Sequence, residues 1–192
     1  MEWMPSTFNG GSGMNLASFF TAVVMCFNVA SASAKNIWNT YVNEAVENLY
    51  VYCYVDATSV SLDEIVPYTE VEFEGDNCAE IFVKLLEMEG LTPVYSGTTE
   101  EWFYLSSVEG IDTSEAVVSE VSKNYLIENS IDWTDRVSVE GCLGEFDFTD
   151  SSGWIFTVNG ELPSCGMCDY VPQEGDEIRL TFTLDYGEDL DQ

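Results

Sequence analysis

The chain has no histidine, and only five of its 192 residues are Lys or Arg. The first absence removes Ser-His-Asp and Cys-His catalysis and most transition-metal sites, because imidazole is the base in those catalytic groups and the commonest ligand in those metal sites. The second excludes nucleic acid as a partner. Phosphate binding needs clustered cations, and Lys35, Lys84, Lys123, Arg136 and Arg179 are scattered along the sequence. The same scatter excludes a polybasic hold on anionic lipid. Against this shortage stand 35 Asp and Glu, for a formal net charge of −30. Hydrophobic residues make up 46% and aromatic residues 14%. That is too apolar for a disordered chain and enough for one domain of ordinary size with an appendage. Carboxylate chemistry, thiol chemistry, calcium binding and a non-catalytic role remain open.

Residues 1–15 are polar and glycine-rich, with Glu2 as the one charge. From Leu16 to Ala34 there is no charge at all. That length suits a thin or tilted membrane span, or the core of a signal peptide. The small residues Ala30 to Ala34 suit signal peptidase, but no basic segment precedes the run. Beyond it, Ile37, Tyr41, Ala45 and Leu49 repeat every four residues, as do Trp38, Val42, Val46 and Tyr50. This is a helical stripe two residues wide. No Gly or Pro separates it from the apolar run, so the sequence predicts one uncleaved helix from about residue 14 to 50, on the order of 50 Å long. Phe19, Phe20, Val23, Val24, Phe27, Ile37, Trp38, Tyr41, Val42, Val46 and Leu49 would bury it in lipid or against identical helices. The segment resembles a membrane anchor or a type IV pilin helix, with Gly13-Met14 where a prepilin cleavage would fall. The expected partners are therefore a membrane or identical subunits.

The period then changes. Tyr50–Val55 is a continuous apolar run, expected to be a buried strand, and Thr69–Gly75 alternates with Val71 and Phe73 on one face. Asp76 is placed to cap a helix carrying Ile81, Phe82, Leu85 and Leu86, which Gly90 closes. Strands are expected at Pro93–Tyr95 and Trp102–Val108. A second helix opens at Asp112-x-x-Glu115, with Val117, Val118, Val121 and Tyr125 inward. Further strands follow at Arg136–Val139, Glu145–Phe148 and Trp154–Val158, and Asn159-Gly160 makes a hairpin turn. Glu177–Tyr186 is the last alternating strand, and the tail from Gly187 is acidic and solvated. The predicted fold class is α+β: a long N-terminal hydrophobic helix, then a mainly antiparallel β head at 51–186 with one or two helices. Phe73, Phe82, Leu86, Trp102, Tyr104, Trp154, Phe156 and Ile178 are expected in its core.

Two stretches carry a resemblance. Ser152-Gly-Trp-Ile-Phe-Thr-Val-Asn-Gly-Glu161 continues through Asp169-Tyr-Val-Pro-Gln-Glu-Gly-Asp-Glu-Ile178. Upstream, Thr92-Pro-Val-Tyr-Ser-Gly97 and Tyr104–Ile111 follow a helix at Cys78–Gly90. In order and spacing the chain resembles, over about residues 50–186, the transcobalamin-like C-terminal domain family, with an insertion at about Asp112–Cys142. The resemblance implies a β-rich extracellular module. It also implies cobalamin as a ligand in relatives that carry a separate helical barrel, which this chain has no room for. A surface module that recognises a ligand or partner is the function it implies.

Cys53, Cys78, Cys142, Cys165 and Cys168 are disulfide candidates, and Cys26 lies in the apolar run. Cys165-Gly-Met-Cys168 has redox spacing but follows a hairpin turn and not a strand-to-helix junction, so a structural role is expected. Oxygen ligands for calcium are offered by Asp147, Asp150 and Ser151, and by Asp185, Glu188 and Asp189, although neither set has EF-hand spacing. No nucleophile, base or carboxylate pair stands out. The expected protein is non-catalytic, without a resident cofactor, extracellular or on the cell surface, and anchored by its helix. A pilin-like filament subunit is the second reading.

Overall fold

The strand β1 (Leu49–Ala57) is central because its residues alternate in burial and it has a neighbour on each side. Val51, Cys53 and Val55 are buried. In the computed structural model, which describes residues 49–190, β1 pairs antiparallel with β2 (Leu62–Phe73), from Leu49 opposite Phe73 to Ala57 opposite Leu62. On its other side it pairs in parallel with β7 (Glu177–Thr183), Tyr52 opposite Glu177 and Asp56 opposite Thr181. β6 (Gly153–Val158) runs antiparallel to β7. The sheet order is therefore β2-β1-β7-β6. A second sheet orders β3 (Thr92–Ser96), β4 (Tyr104–Glu109) and β5 (Cys142–Gly144).

Two short helices complete the unit. α1 (Cys78–Met88) buries Ile81, Phe82, Leu85 and Leu86, the i, i+4 stripe the sequence displays. α2 (Glu120–Asn129) buries little beyond Leu126 and Ser122. The core joins the inner faces of both sheets with α1: Val51, Phe73, Phe82, Leu105, Val108, Leu143, Ile178, Leu180 and Phe182 belong to one cluster. Trp154 ties the sheets together. Its indole Nε1 donates to the Leu143 carbonyl at 3.0 Å, and its ring meets Phe182 edge-on at 5.4 Å. Arg179 on β7 reaches back to β1, with Nε 2.6 Å from Asp56 Oδ2 and a second nitrogen 3.0 Å from Oδ1. Such a two-point guanidinium–carboxylate contact fixes the parallel register as well as the charge.

Several expectations need correction. The predicted fold class put a long hydrophobic helix through Leu49 and Tyr50. Those residues open β1 instead, because Leu49 and Tyr50 find strand partners in Phe73 and Glu72. Among the described residues the architecture is β-rich with two short helices, and no helix is long and apolar enough to cross a membrane. Phe19, Phe20, Val23, Val24, Phe27, Ile37, Trp38, Tyr41, Val42 and Val46 lie outside the described residues.

The second helix begins at Ser119 and not at Asp112, since Ser119 Oγ accepts from Ser122 N at 3.1 Å and supplies the cap. Residues 117–119 are held out of a helix by Val117 N and Ser119 N, which donate to the Val60 and Ser59 carbonyls. Val117 and Val121 are consequently exposed. Arg136–Val139 and Glu145–Phe148 are turns, and Phe146 and Phe148 sit at φ 65° and 71° around Asp147. Asp189 in the acidic tail is buried, accepting from the Leu184 and Asp185 amides.

Tyr125 anchors the one buried face of α2, its hydroxyl donating to Asp185 Oδ2 at 2.8 Å. Burial first, and this bond second, push its phenol up to about 12. The fold thus favours the neutral phenol. The resulting stability is complete below the unfolded value of about 10 and is lost as pH rises from there through about 12. Urea midpoints measured across that window should fall more steeply for the wild type than for Tyr125→Phe. Parallel curves would refute the assignment.

Candidate functional site

Of the eight side chains expected in the core, Phe73, Phe82, Leu86, Phe156 and Ile178 are buried and Trp154 is half-buried. Trp102 and Tyr104 are the exceptions, 88% and 53% exposed. Both belong to a groove on the surface, and the chain builds that groove deliberately.

One wall is the turn between β3 and β4. Thr98 N donates to the Glu101 carbonyl at 2.9 Å, while Thr98 Oγ1 accepts from the Glu100 and Glu101 amides. The turn closes so tightly on Gly97 (φ 79°) that a Cβ there would lie 2.2 Å from the Trp102 carbonyl oxygen. Trp102 itself takes φ 58°, a left-handed conformation that is strained for a bulky residue. It lies in the turn, two positions before β4, which begins at Tyr104. The expected Trp102–Val108 strand fails at its start for that reason. The polar run Gly97-Thr-Thr-Glu-Glu101 ahead of Trp102 was the signal for a turn.

The other wall is the long loop between β6 and β7. Asn159 (φ 52°) and Gly160 (φ 80°) form the expected hairpin turn. Asn159 then does more: its Nδ2 donates to Asp176 Oδ1 at 2.8 Å, and its Oδ1 accepts from Glu177 N at 3.0 Å. Asp176 Oδ2 accepts from Gln173 N at 2.8 Å. The two ends of the loop are stapled to each other, so Leu162, Pro163, Gly166, Met167, Cys168 and Asp169 are presented on a closed base. Tyr170, packed edge-on to Phe156 at 6.3 Å, holds the loop's far side.

Both walls meet at the start of α1. Asn77, and not Asp76, is the cap. Its Oδ1 accepts from Glu80 N at 3.0 Å, and Glu80 Oε2 accepts from Asn77 N at 2.9 Å. The free side of the Asn77 amide donates to the Thr99 carbonyl at 2.9 Å, in the first wall. Cys78 N, next in the chain, donates to the Tyr170 carbonyl at 2.9 Å, in the second. The spacing Asn77-x-x-Glu80 was the sequence signal for this box.

The groove has two lobes. One, about 520 Å³, is lined by Glu100, Glu101, Trp102, Phe103, Tyr104, Gly166, Cys168 and Asp169. The other, about 240 Å³, shares Phe103, Tyr104 and Gly166 and adds Leu105, Trp154, Ile155, Phe156, Leu162, Pro163 and Met167. Tyr95 backs Phe103, ring centres 4.8 Å apart. The Tyr104 hydroxyl donates to Glu145 Oε2 at 2.5 Å, and that bond, ahead of burial, raises its pKa.

Among the described residues the five cysteines are free thiols. Cys53 and Cys78 are buried, Cys142 and Cys168 half-buried and Cys165 exposed. Burial pushes the Cys53 thiol up to about 12 and raises Cys78 as well. The proposed calcium ligands are engaged elsewhere. Asp147 is buried and accepts from Ser138 N and Gly144 N at 2.6 and 2.9 Å; Asp189 accepts from backbone amides and the Thr183 hydroxyl; Asp185 takes the Tyr125 hydroxyl. Asp150 is exposed and Ser151 half-buried, and Glu188 is exposed. Among the described residues no group of three or more Cys, Asp or Glu could hold a metal ion.

Two outcomes are expected. Asn77→Ala should cost about 1–2 kcal/mol, the ordinary worth of a cap, and Asn77→Asp, which keeps the acceptor but not the donor to Thr99, about half that. Equal losses in urea titrations would mean the cap contributes nothing. Iodoacetamide on the native protein should modify Cys165 and spare Cys53 and Cys78, since only the accessible thiolate reacts. Peptide mapping that finds Cys78 modified before unfolding would contradict the burial described.

Over residues 137–184, which take in β5, β6, the stapled loop and β7, the chain matches a family model described as a domain of unknown function, DUF4430. No curated protein matches the chain.

Proposed function

We propose that the chain is a non-catalytic extracellular recognition module of the transcobalamin-like kind, which takes its ligand or partner in the groove beneath Trp102. The observation that carries this reading is Trp102 itself. A tryptophan left 88% exposed forgoes the apolar burial that normally justifies it. This one also stands at φ 58°, in a turn tied down on both sides. Strain and exposure together serve no stabilising purpose, and an outlier of that kind points to function. The surrounding ring faces of Phe103 and Tyr104 and the apolar second lobe give a ligand something to stack against.

The transcobalamin-like part of the reading is supported by overlap. The stretch matched to the domain of unknown function contains Ser152–Glu161 and Asp169–Ile178, the stronger part of that resemblance, while its upstream part, Thr92–Gly97 and Tyr104–Ile111, lies outside the match. The extracellular part is supported by the resemblance together with the charge of −30.

The test is a substitution that separates stability from binding. Trp102→Gly relieves the left-handed strain and removes almost no buried area, so unfolding free energy should stay within about 1 kcal/mol of wild type. Binding of the neutral dye Nile red, read as fluorescence enhancement, should be lost. A variant destabilised by more than about 2 kcal/mol, or one that binds the dye unchanged, would remove the reading.

A further inference from the structure

This inference rests on the recognition reading and names the chemistry of the occupant. The larger lobe is lined by the aromatic residues Trp102, Phe103 and Tyr104 together with the acidic residues Glu100, Glu101 and Asp169. No Lys or Arg lines either lobe. Among the described residues the ion pairs are Lys84 with Asp76, Lys123 with Glu120 and Arg179 with Asp56, and none of these residues lines either lobe. Aromatic faces and carboxylates both attract cations, and ring faces favour alkylammonium and guanidinium groups over hydrated metal ions. The smaller lobe is apolar, lined by Leu105, Trp154, Phe156 and Met167 among others, and continues from the first through Phe103 and Tyr104. The occupant is therefore apolar on one side and cationic on the other. A second copy of the chain is a poor candidate, because it brings a further −30. A small polyamine would satisfy the carboxylates and leave the apolar lobe wet.

We propose that the groove docks a segment of a protein partner in which a Lys or Arg side chain stands beside a bulky apolar one. The basic group lies over Trp102 between Glu100, Glu101 and Asp169, and the apolar group enters the lobe beside Trp154.

The experiment uses the full chain and three probes: a dye-labelled hexapeptide of alternating Leu and Lys, its Leu–Glu counterpart, and spermine as an unlabelled competitor. Fluorescence anisotropy is read at low and high NaCl. The Leu–Lys peptide should bind and the Leu–Glu peptide should not. The double substitution E100Q/E101Q should weaken binding about tenfold by removing two nearby charges. The control E70Q/E72Q, which removes as much charge from the exposed side of β2, should leave binding within about twofold. Trp102→Gly should abolish it. Equal weakening by the two Gln pairs would show that the peptide reads only overall charge, and would overturn the proposal. So would competition by spermine at the peptide's own affinity. If the Leu–Glu peptide binds and depends on Trp102 while the Leu–Lys peptide does not, the groove remains a recognition site and the cationic occupant falls. If neither peptide nor Nile red depends on Trp102, both readings fall.

Discussion

Everything on the groove side of the molecule depends on how the first turn of α1 satisfies its backbone. A helix start leaves four amide groups without intrahelical partners. Here Asn77 Oδ1 takes the Glu80 amide, and the Cys78 amide goes to Tyr170. The same asparagine uses its other amide face to hold Thr99. A local requirement of helix geometry is met by loops distant in sequence, one on each side of the groove. Residue 77, at the foot of both, is buried for that reason. The two walls are therefore as rigid as the helix, and α1 is in turn fixed by Ile81, Phe82, Leu85 and Leu86 in the core.

A second constraint comes from composition. With so few cations, the fold has to settle its carboxylates in another way, and it uses the backbone. Asp147 takes two amides, Asp189 two amides and a hydroxyl, Asp176 the Gln173 amide, and Glu174 the amide of Tyr50 at the head of β1. The Asp147, Asp189 and Asp176 contacts tie turns shut, and at buried Asp147 and Asp189 they satisfy a charge that would be costly to bury alone, whereas exposed Glu174 links the last loop to β1. Asp147 and Asp189, which looked like calcium ligands in the sequence, are of this type. Among the described residues, Asp56 is the one buried acid that meets a cation, and it does so where two parallel strands need their register fixed.

Much of the fold was legible because period and turn chemistry agreed. The continuous apolar run Tyr50–Val55, the stripe of α1, and Asn159-Gly160 each point to the structure found. The failures share one cause: local signals that lose to partners remote in sequence. Leu49 and Tyr50 continue a helical period, yet Phe73 and Glu72 lie opposite and make them strand. Asp112 is a good cap, but its carboxylate closes its own turn onto Ser114, and the chain that follows is drawn onto Val60 and Ser59. Trp102 looks like the first residue of a buried strand, and nothing in a count of apolar residues reveals that its backbone is left-handed. The groove was illegible for the same reason. Its walls are residues 97–103 and 160–175, brought together by Asn77, and none of the three segments suggests the others.

The acids thus divide into two populations with opposite physics. Those held by amides are short-range contacts inside closed turns, where a neutral donor meets a charged acceptor and added salt screens little. Glu100, Glu101 and Asp169 are exposed beside aromatic rings. The Thr98 hydroxyl and its own amide hold Glu100 and lower its pKa, but the fields of all three reach outward and fall off within a Debye length of about 10 Å at 0.1 M salt. The first population stabilises the scaffold; the second is left over by it, and is the part of the charge that another molecule can meet. A chain built with more Lys and Arg would have paired these acids on its own surface. The scarcity of cations is what leaves an acidic, aromatic groove with no Lys or Arg in its lining.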